Sequence, residues 1–264
     1  MAWSLRIIHR LIWCLFGLTG TLAADLLDKR LQCHIFGNQP SVRRYSRPSR
    51  PESTIFLSND TAPFVVNGGA LPFTDFHIGE SYSGFLPIGD NAGSEYFFWF
   101  VPSTNPLAID EVVIWLNGGP GTSSLAGFLH ANGPFIWQAG THAPVPNTYA
   151  WSNLTNVVWI DQPLGTGYSH GSPNVQSQED VSRYFLAFWI HFVDLFQLQN
   201  AKIFLAGESY AGKYIPYLAN AMIGKSDETY FNLKGILLFN PGIGDDMLQS
   251  EVPMAAFARA NERR

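Results

Sequence analysis

The sequence predicts an α/β protein whose central, mostly parallel sheet is entered through an amino-terminal hairpin. Three observations predict it. The short apolar runs Val112–Leu116 and Val157–Ile160 end at glycine- or proline-rich loops, as strands buried on both sheet faces do. Phe185, Phe188, Trp189, Phe192, Leu195 and Phe196 recur at spacings of three and four, the period of an amphipathic helix. Strand-like and helix-like segments then alternate along the chain, the order that builds a parallel sheet with crossover helices.

Taken in order, Ser81–Ile88 and Tyr96–Val101 are strands joined through Gly89–Gly93, a hairpin signal. Val112–Leu116 and Val157–Ile160 follow as interior strands. The helix over 178–199 carries Glu179 and Asp180 near its positive end. Lys202–Ala206 is the next strand and runs through a sharp turn into a helix from about residue 210. Pro216 lies beyond the first turn of that helix and is expected to distort it. Phe231–Phe239 is a further strand, closed by Asn240-Pro241-Gly242, and Ala255–Arg264 is a short helical stub. On this reading the sheet is incomplete at its carboxy-terminal side, with an open edge and exposed core surface that predict poor solubility of the 24–264 product.

A 264-residue chain with 46% hydrophobic and 14% aromatic residues has ample material for a core, which excludes a disordered protein. A net charge of −5 argues against nucleic acid as a partner. Residues 1–23 read as a secretory signal: Arg6, His9 and Arg10 precede the apolar run from Leu11, and Thr21-Leu22-Ala23 supplies small residues for cleavage. That run is short for a membrane span, so no stable anchor is expected after cleavage. Residues 24–60, rich in Arg, Pro and Ser, read as a pro-segment or flexible arm, with Lys29-Arg30 as a dibasic processing candidate. The cluster Arg43–Pro51 is a solvated linker rather than a surface-binding patch. Residues 61–264 form the folded domain. Only Cys33 remains after signal removal, so no internal disulfide is expected. Asn59-Asp60-Thr61 and Asn153-Leu154-Thr155 are glycosylation sequons.

The chemistry concentrates in two loops at strand ends. Ser209 sits in Gly207-Glu208-Ser209-Tyr210-Ala211-Gly212, between an apolar strand and a helix. A serine at such a turn is how the α/β-hydrolase fold exposes a nucleophile. Asn117-Gly118-Gly119-Pro120-Gly121 follows the strand Val112–Leu116. Acyl transfer needs backbone N–H donors aimed at the developing oxyanion, and the amides of Tyr210 and Gly119 suit that role; Pro120 has no N–H to give. The bland alternatives are an ordinary tight turn at each place. A nucleotide loop is disfavoured because the Gly-Lys-Ser/Thr ending is missing, and no metal or cofactor is expected.

The segments Trp115–Ser124, Asn132-Gly133-Pro134, Asn147–Ser152, Val158–Ser169 and Gly207–Pro216, in this order and spacing, resemble the serine carboxypeptidase family, particularly its fungal secreted and vacuolar members. The resemblance implies hydrolysis of a carboxy-terminal peptide bond through an acyl-enzyme at Ser209, in the secretory pathway, extracellular or vacuolar. It implies oxyanion donors at Gly119 and Tyr210, and a grip on the substrate's terminal carboxylate by Asn117, Gly118 and Glu208. Peptide or protein carboxy termini are the expected partners. A carboxylate beside Glu208 is favourable only when a proton is shared, which suits acidic conditions.

Three departures stand out. Ala131 occupies the place of a second family glutamate, so weaker substrate binding at neutral pH is expected. Thr122 replaces a frequent disulfide cysteine. All seven histidines precede Ser209, whereas the fold's order is serine, acid, histidine. The triad aspartate and histidine are therefore expected to be missing from this chain; Asp245 and Asp246 match a different family segment, and His170 and His191 reach Ser209 only if the topology is abandoned. The alternative function is a non-catalytic, truncated peptide-binding homologue. An esterase or lipase of the same fold is disfavoured by Asn117–Gly121 and Glu208.

Overall fold

The computed structural model describes residues 54–264 apart from 90–92, 173–174, 246 and 263–264. The signal segment, Lys29-Arg30, Cys33 and the Arg43–Pro51 cluster lie outside the described residues. Eight strands are present among those described: β1 Tyr82–Pro87, β2 Glu95–Val101, β3 Glu111–Leu116, β4 Phe135–Ile136, β5 Val145–Pro146, β6 Asn156–Ile160, β7 Lys202–Glu208 and β8 Leu233–Phe239. The helices are α1 Gln178–Phe196, α2 Ala211–Lys225, α3 Glu228–Phe231 and α4 Val252–Asn261, with a short helical turn over Leu125–Asn132.

Six strands form one sheet in the order β1-β2-β6-β3-β7-β8, and β4 pairs with β5 alone. The hairpin β1–β2 joins β6 antiparallel, and β6, β3, β7 and β8 run parallel. The chain leaves β3 toward β6 on one side, while β7 lies on the other and continues to β8. The carboxyl ends of β3 and β7 therefore flank a topological switch point, the place where open α/β sheets leave a crevice.

Alternation in β2 shows why the sheet is covered on both sides. Phe98 and Phe100 face α1, edge-on to Phe192 at 5.4 and 5.3 Å between ring centres. Trp99 points the other way and stacks on Phe128 at 4.5 Å. Each such buried aromatic contributes about 1.5–3 kcal/mol of burial free energy. Helix α1 starts where the Ser177 side chain accepts the Asp180 N–H and stops where Gln197 turns left-handed, at φ 53°.

Helix α2 runs unbroken through Pro216. The proline removes the bond its N–H would give to the Gly212 carbonyl, but Tyr214, Ile215 and Leu218 are buried around it and hold the helix through the gap. Residues 54–60, assigned to the arm on sequence grounds, are tied to the domain: the Ile55 and Phe56 amides donate to Glu80 at 2.7 and 2.8 Å, and the Phe56 ring meets Phe100 at 5.2 Å. Phe56 packs against rings that stand far along the chain, Phe100 and Phe196. The open edge is as expected: β8 closes one side of the described sheet with Ile236 and Phe239 exposed by 45% and 41%. Among the described residues no helix is long and apolar enough to cross a membrane.

Candidate active site

Ser209 stands between the last residue of β7 and the first of α2, with φ at 58°. A left-handed serine is strained and survives only where its surroundings fix it. Here its N–H donates to the Phe239 carbonyl at 3.1 Å, and its carbonyl accepts the Gly242 and Gly212 amides at 2.9 Å each. The turn after β8 thus clamps the elbow. The side chain of Ser209 is exposed.

Small residues make the turn possible. A Cβ on Gly207 would overlap the Leu116 carbonyl and come within 2.8 Å of the Ala211 methyl. Ala211 itself is the first residue of α2 and completely buried, so a methyl fits where the usual elbow has glycine. A Cβ on Gly212 would press to 2.6 Å from Pro241. Gly118 is constrained on three sides. A Cβ there would collide with the Tyr210 amide and lie 2.7 Å from the Glu208 carbonyl and 3.0 Å from Ser209 Cβ. The loop after β3 is therefore packed directly against the elbow. Gly119, next along, is exposed and takes φ 106°, a conformation that favours glycine.

Asn117 locks the two loops together. Its Nδ2 donates to Glu208 Oε1 at 2.8 Å, and its Oδ1 accepts Trp115 Nε1 at 2.7 Å and the Gly127 amide at 3.1 Å. Its own N–H donates to Ser124 Oγ at 3.1 Å, whose hydroxyl donates to the Ile160 carbonyl at 2.6 Å. Beneath this lies Asp161, 1% exposed at the end of β6. It accepts Ser123 Oγ at 2.7 Å, the Ser124 amide at 2.8 Å and the Tyr168 amide at 3.0 Å. Burial pushes its carboxyl up to about 6, while the bonds from Ser123, Tyr168 and Ser124 pull the other way.

The structure thus brings together Asn117, Gly118, Glu208, Ser209 and Tyr210, with Gly119 in the adjoining turn. It does not bring His170 or His191 to Ser209. His170 lies 3.4 Å from Glu95 and edge-on to Phe85, on the hairpin side of the sheet, and His191 is on the exposed face of α1. Asn59 and Asn153 are both exposed, away from the elbow in sequence and held in turns. Sequence reasoning assigned no role to Asp161, Ser124, Gly127 or Gln178, whose Nε2 lies 3.4 Å from the Tyr210 hydroxyl. Asp161 and Ser124 lie in motif segments that carry the family resemblance, but the motif alone does not say which of its polar residues is buried and shared between the loops.

The family model for serine carboxypeptidases matches residues 72–260. A probable serine carboxypeptidase of Arthroderma benhamiae is 45% identical over 245 residues, 88% of this chain and 45% of that protein. Serine-type carboxypeptidase F of Aspergillus niger is 47% identical over 208 residues, 78% of this chain and 39% of that protein. The crystal structure of a prohormone-processing carboxypeptidase from Saccharomyces cerevisiae superposes with a TM-score of 0.66 at 29% identity, over 76% of this chain and 47% of that one. The chain spans less than half the length of these relatives.

Proposed function

Because this chain belongs to the serine carboxypeptidase family, we propose that it binds the carboxy terminus of a peptide and releases the last residue through an acyl-enzyme on Ser209. The observation that carries the reading is the exposed, left-handed Ser209 set beside the Asn117–Glu208 hydrogen bond. Ser209 Oγ attacks the carbonyl carbon of the last peptide bond, and the hydroxyl proton it loses ends on the leaving amine. The C–N bond breaks, and water then cleaves the serine ester to free the shortened peptide. The Gly119 and Tyr210 amides receive the oxyanion; a donor of this kind is worth roughly 100- to 1000-fold in rate. Asn117 and Gly118 receive the substrate's terminal carboxylate, with Glu208 at their side. The protein travels the secretory route, to the extracellular space or the vacuole, and carries glycans at Asn59 and Asn153.

A second reading, a peptide binder without catalysis, is supported by the placement of His170 against Glu95 and Phe85 and of His191 on the exposed face of α1. One experiment separates the two. Purified protein and its Ser209→Ala variant are incubated with a peptide and the products weighed by mass spectrometry. Loss of single carboxy-terminal residues, absent in the variant, supports catalysis. Retention of intact peptide on the protein supports the binder and contradicts catalysis, and a protein that neither cleaves nor retains the peptide has neither role at this site.

A further inference from the structure

Around Asp161, two loops meet on one buried carboxylate. Its Oδ1 accepts Ser123 Oγ and the Ser124 amide, both just after Gly118–Gly121, and its Oδ2 accepts the Tyr168 amide of the loop after β6. Ser124 passes the tie on, because its Oγ accepts the Asn117 amide at 3.1 Å. Asp161 is also anchored to the sheet, donating its own N–H to the Phe97 carbonyl at 3.0 Å. The space is fitted to it: a Cβ on Gly167, whose φ is 55°, would overlap the carboxylate and press to 2.9 Å from Ser123 Cβ. We infer that Asp161 is a positioning residue, a clasp that fixes the loop bearing Gly118 and Gly119 against the Ser209 elbow.

Three donors on two oxygens require an acceptor-only group. An asparagine has one acceptor oxygen and one NH2, so it must turn a donor toward either Tyr168 or the Ser123–Ser124 pair. With the clasp half-open the Gly118 backbone is freed from the Tyr210 amide, and the oxyanion donors lose their fixed spacing. The inference rests on the reading of Ser209 as nucleophile for its catalytic consequence, but the clasp itself is measurable without catalysis.

The experiment is amide hydrogen exchange on the 264-residue chain and its Asp161→Asn and Ser123→Ala variants. Exchange over Gly118–Ser124 is expected to quicken at least tenfold in Asp161→Asn and by a smaller factor in Ser123→Ala, with α1 and β7 unchanged. Unchanged exchange in the loop, or a uniform rise across the whole chain, would overturn the clasp. The catalytic consequence is read with a fluorophosphonate: Asp161→Asn should lower the maximal inactivation rate about tenfold while the half-saturating probe concentration stays within twofold. A change confined to the half-saturating concentration contradicts the positioning role. Failure of the unaltered protein to react at Ser209 sinks the nucleophile reading alone, and the exchange result then decides the clasp. Should Asp161→Asn not fold, Ser123→Ala decides by the same criterion.

Discussion

Asn117 and Glu208 are 91 residues apart in sequence, end neighbouring parallel strands, and are joined by a 2.8 Å hydrogen bond from the Asn117 amide to the Glu208 carboxylate. The Asn117 side-chain oxygen also takes Trp115 and Gly127, and its NH2 keeps a second hydrogen beyond the one given to Glu208. The loop after β3 and the elbow after β7 are thereby one unit, and the crevice at the switch point has a defined floor.

Asn117→Ala leaves the Trp115 indole N–H and the Gly127 amide unpaired in a buried place. Each orphaned donor costs about 1–3 kcal/mol. Two such donors cost about 2–6 kcal/mol together, so the variant should melt roughly 4–24 °C lower, using about 2–4 °C per kcal/mol for a domain of this size. A melting point within a degree of the unaltered protein would show that the bond network is not formed.

Ser209 holds a left-handed backbone, φ 58°. Glycine accepts the left-handed conformation freely and alanine does not, so Ser209→Gly should exceed Ser209→Ala in stability by about 1 kcal/mol. Chemical denaturation of the two variants measures it. Equal midpoints would mean that the backbone at 209 is not left-handed in solution.

Gly118→Ala inserts a methyl against the Tyr210 amide and the Glu208 carbonyl. Overpacking of this kind costs about 1–3 kcal/mol. The displaced loop should also abolish reaction at Ser209, to a degree larger than the stability loss explains. Denaturation and probe labelling run side by side check both halves.

The Asp161 carboxyl ionises near 6 when folded, against an ordinary value of 3.8, with burial as the main cause. The folded state therefore holds this proton more tightly between those two values. Its stabilising contribution is complete below pH 3.8 and is lost as pH rises to about 6, up to on the order of 3 kcal/mol at 1.36 kcal/mol per pH unit. Melting curves from pH 3.5 to 7 should show that fall in the unaltered protein and lack it in Asp161→Asn. Parallel curves would assign the titration elsewhere.

Much of this was legible in the sequence, and the rest has physical reasons for being hidden. The strands from Val112, Val157 and Lys202 and the helix at 178 announced themselves because burial imposes a period on apolar residues. Ser209 and the Asn117–Gly121 loop showed because glycines must stand where backbones approach. Asp161 did not show, since a buried acid is recognised by its donors, and Ser123, Ser124 and Tyr168 come from two loops that only the fold brings together. The docking of Phe56 was concealed for the same reason: its partners Phe100 and Phe196 are far along the chain. Pro216 stands inside a helix because propensity is local, while the core around Tyr214 and Leu218 that holds the element is not.

The central claim is that Ser209 is the reacting atom of this site, and mapping a fluorophosphonate adduct by mass spectrometry after exhaustive exposure tests it most directly. The account predicts slow formation of one adduct, on Ser209 within the tryptic peptide Ile203–Lys213, and none in Ser209→Ala. An adduct on another residue with Ser209 unmodified, or equal labelling of the Ser209→Ala variant, would contradict it.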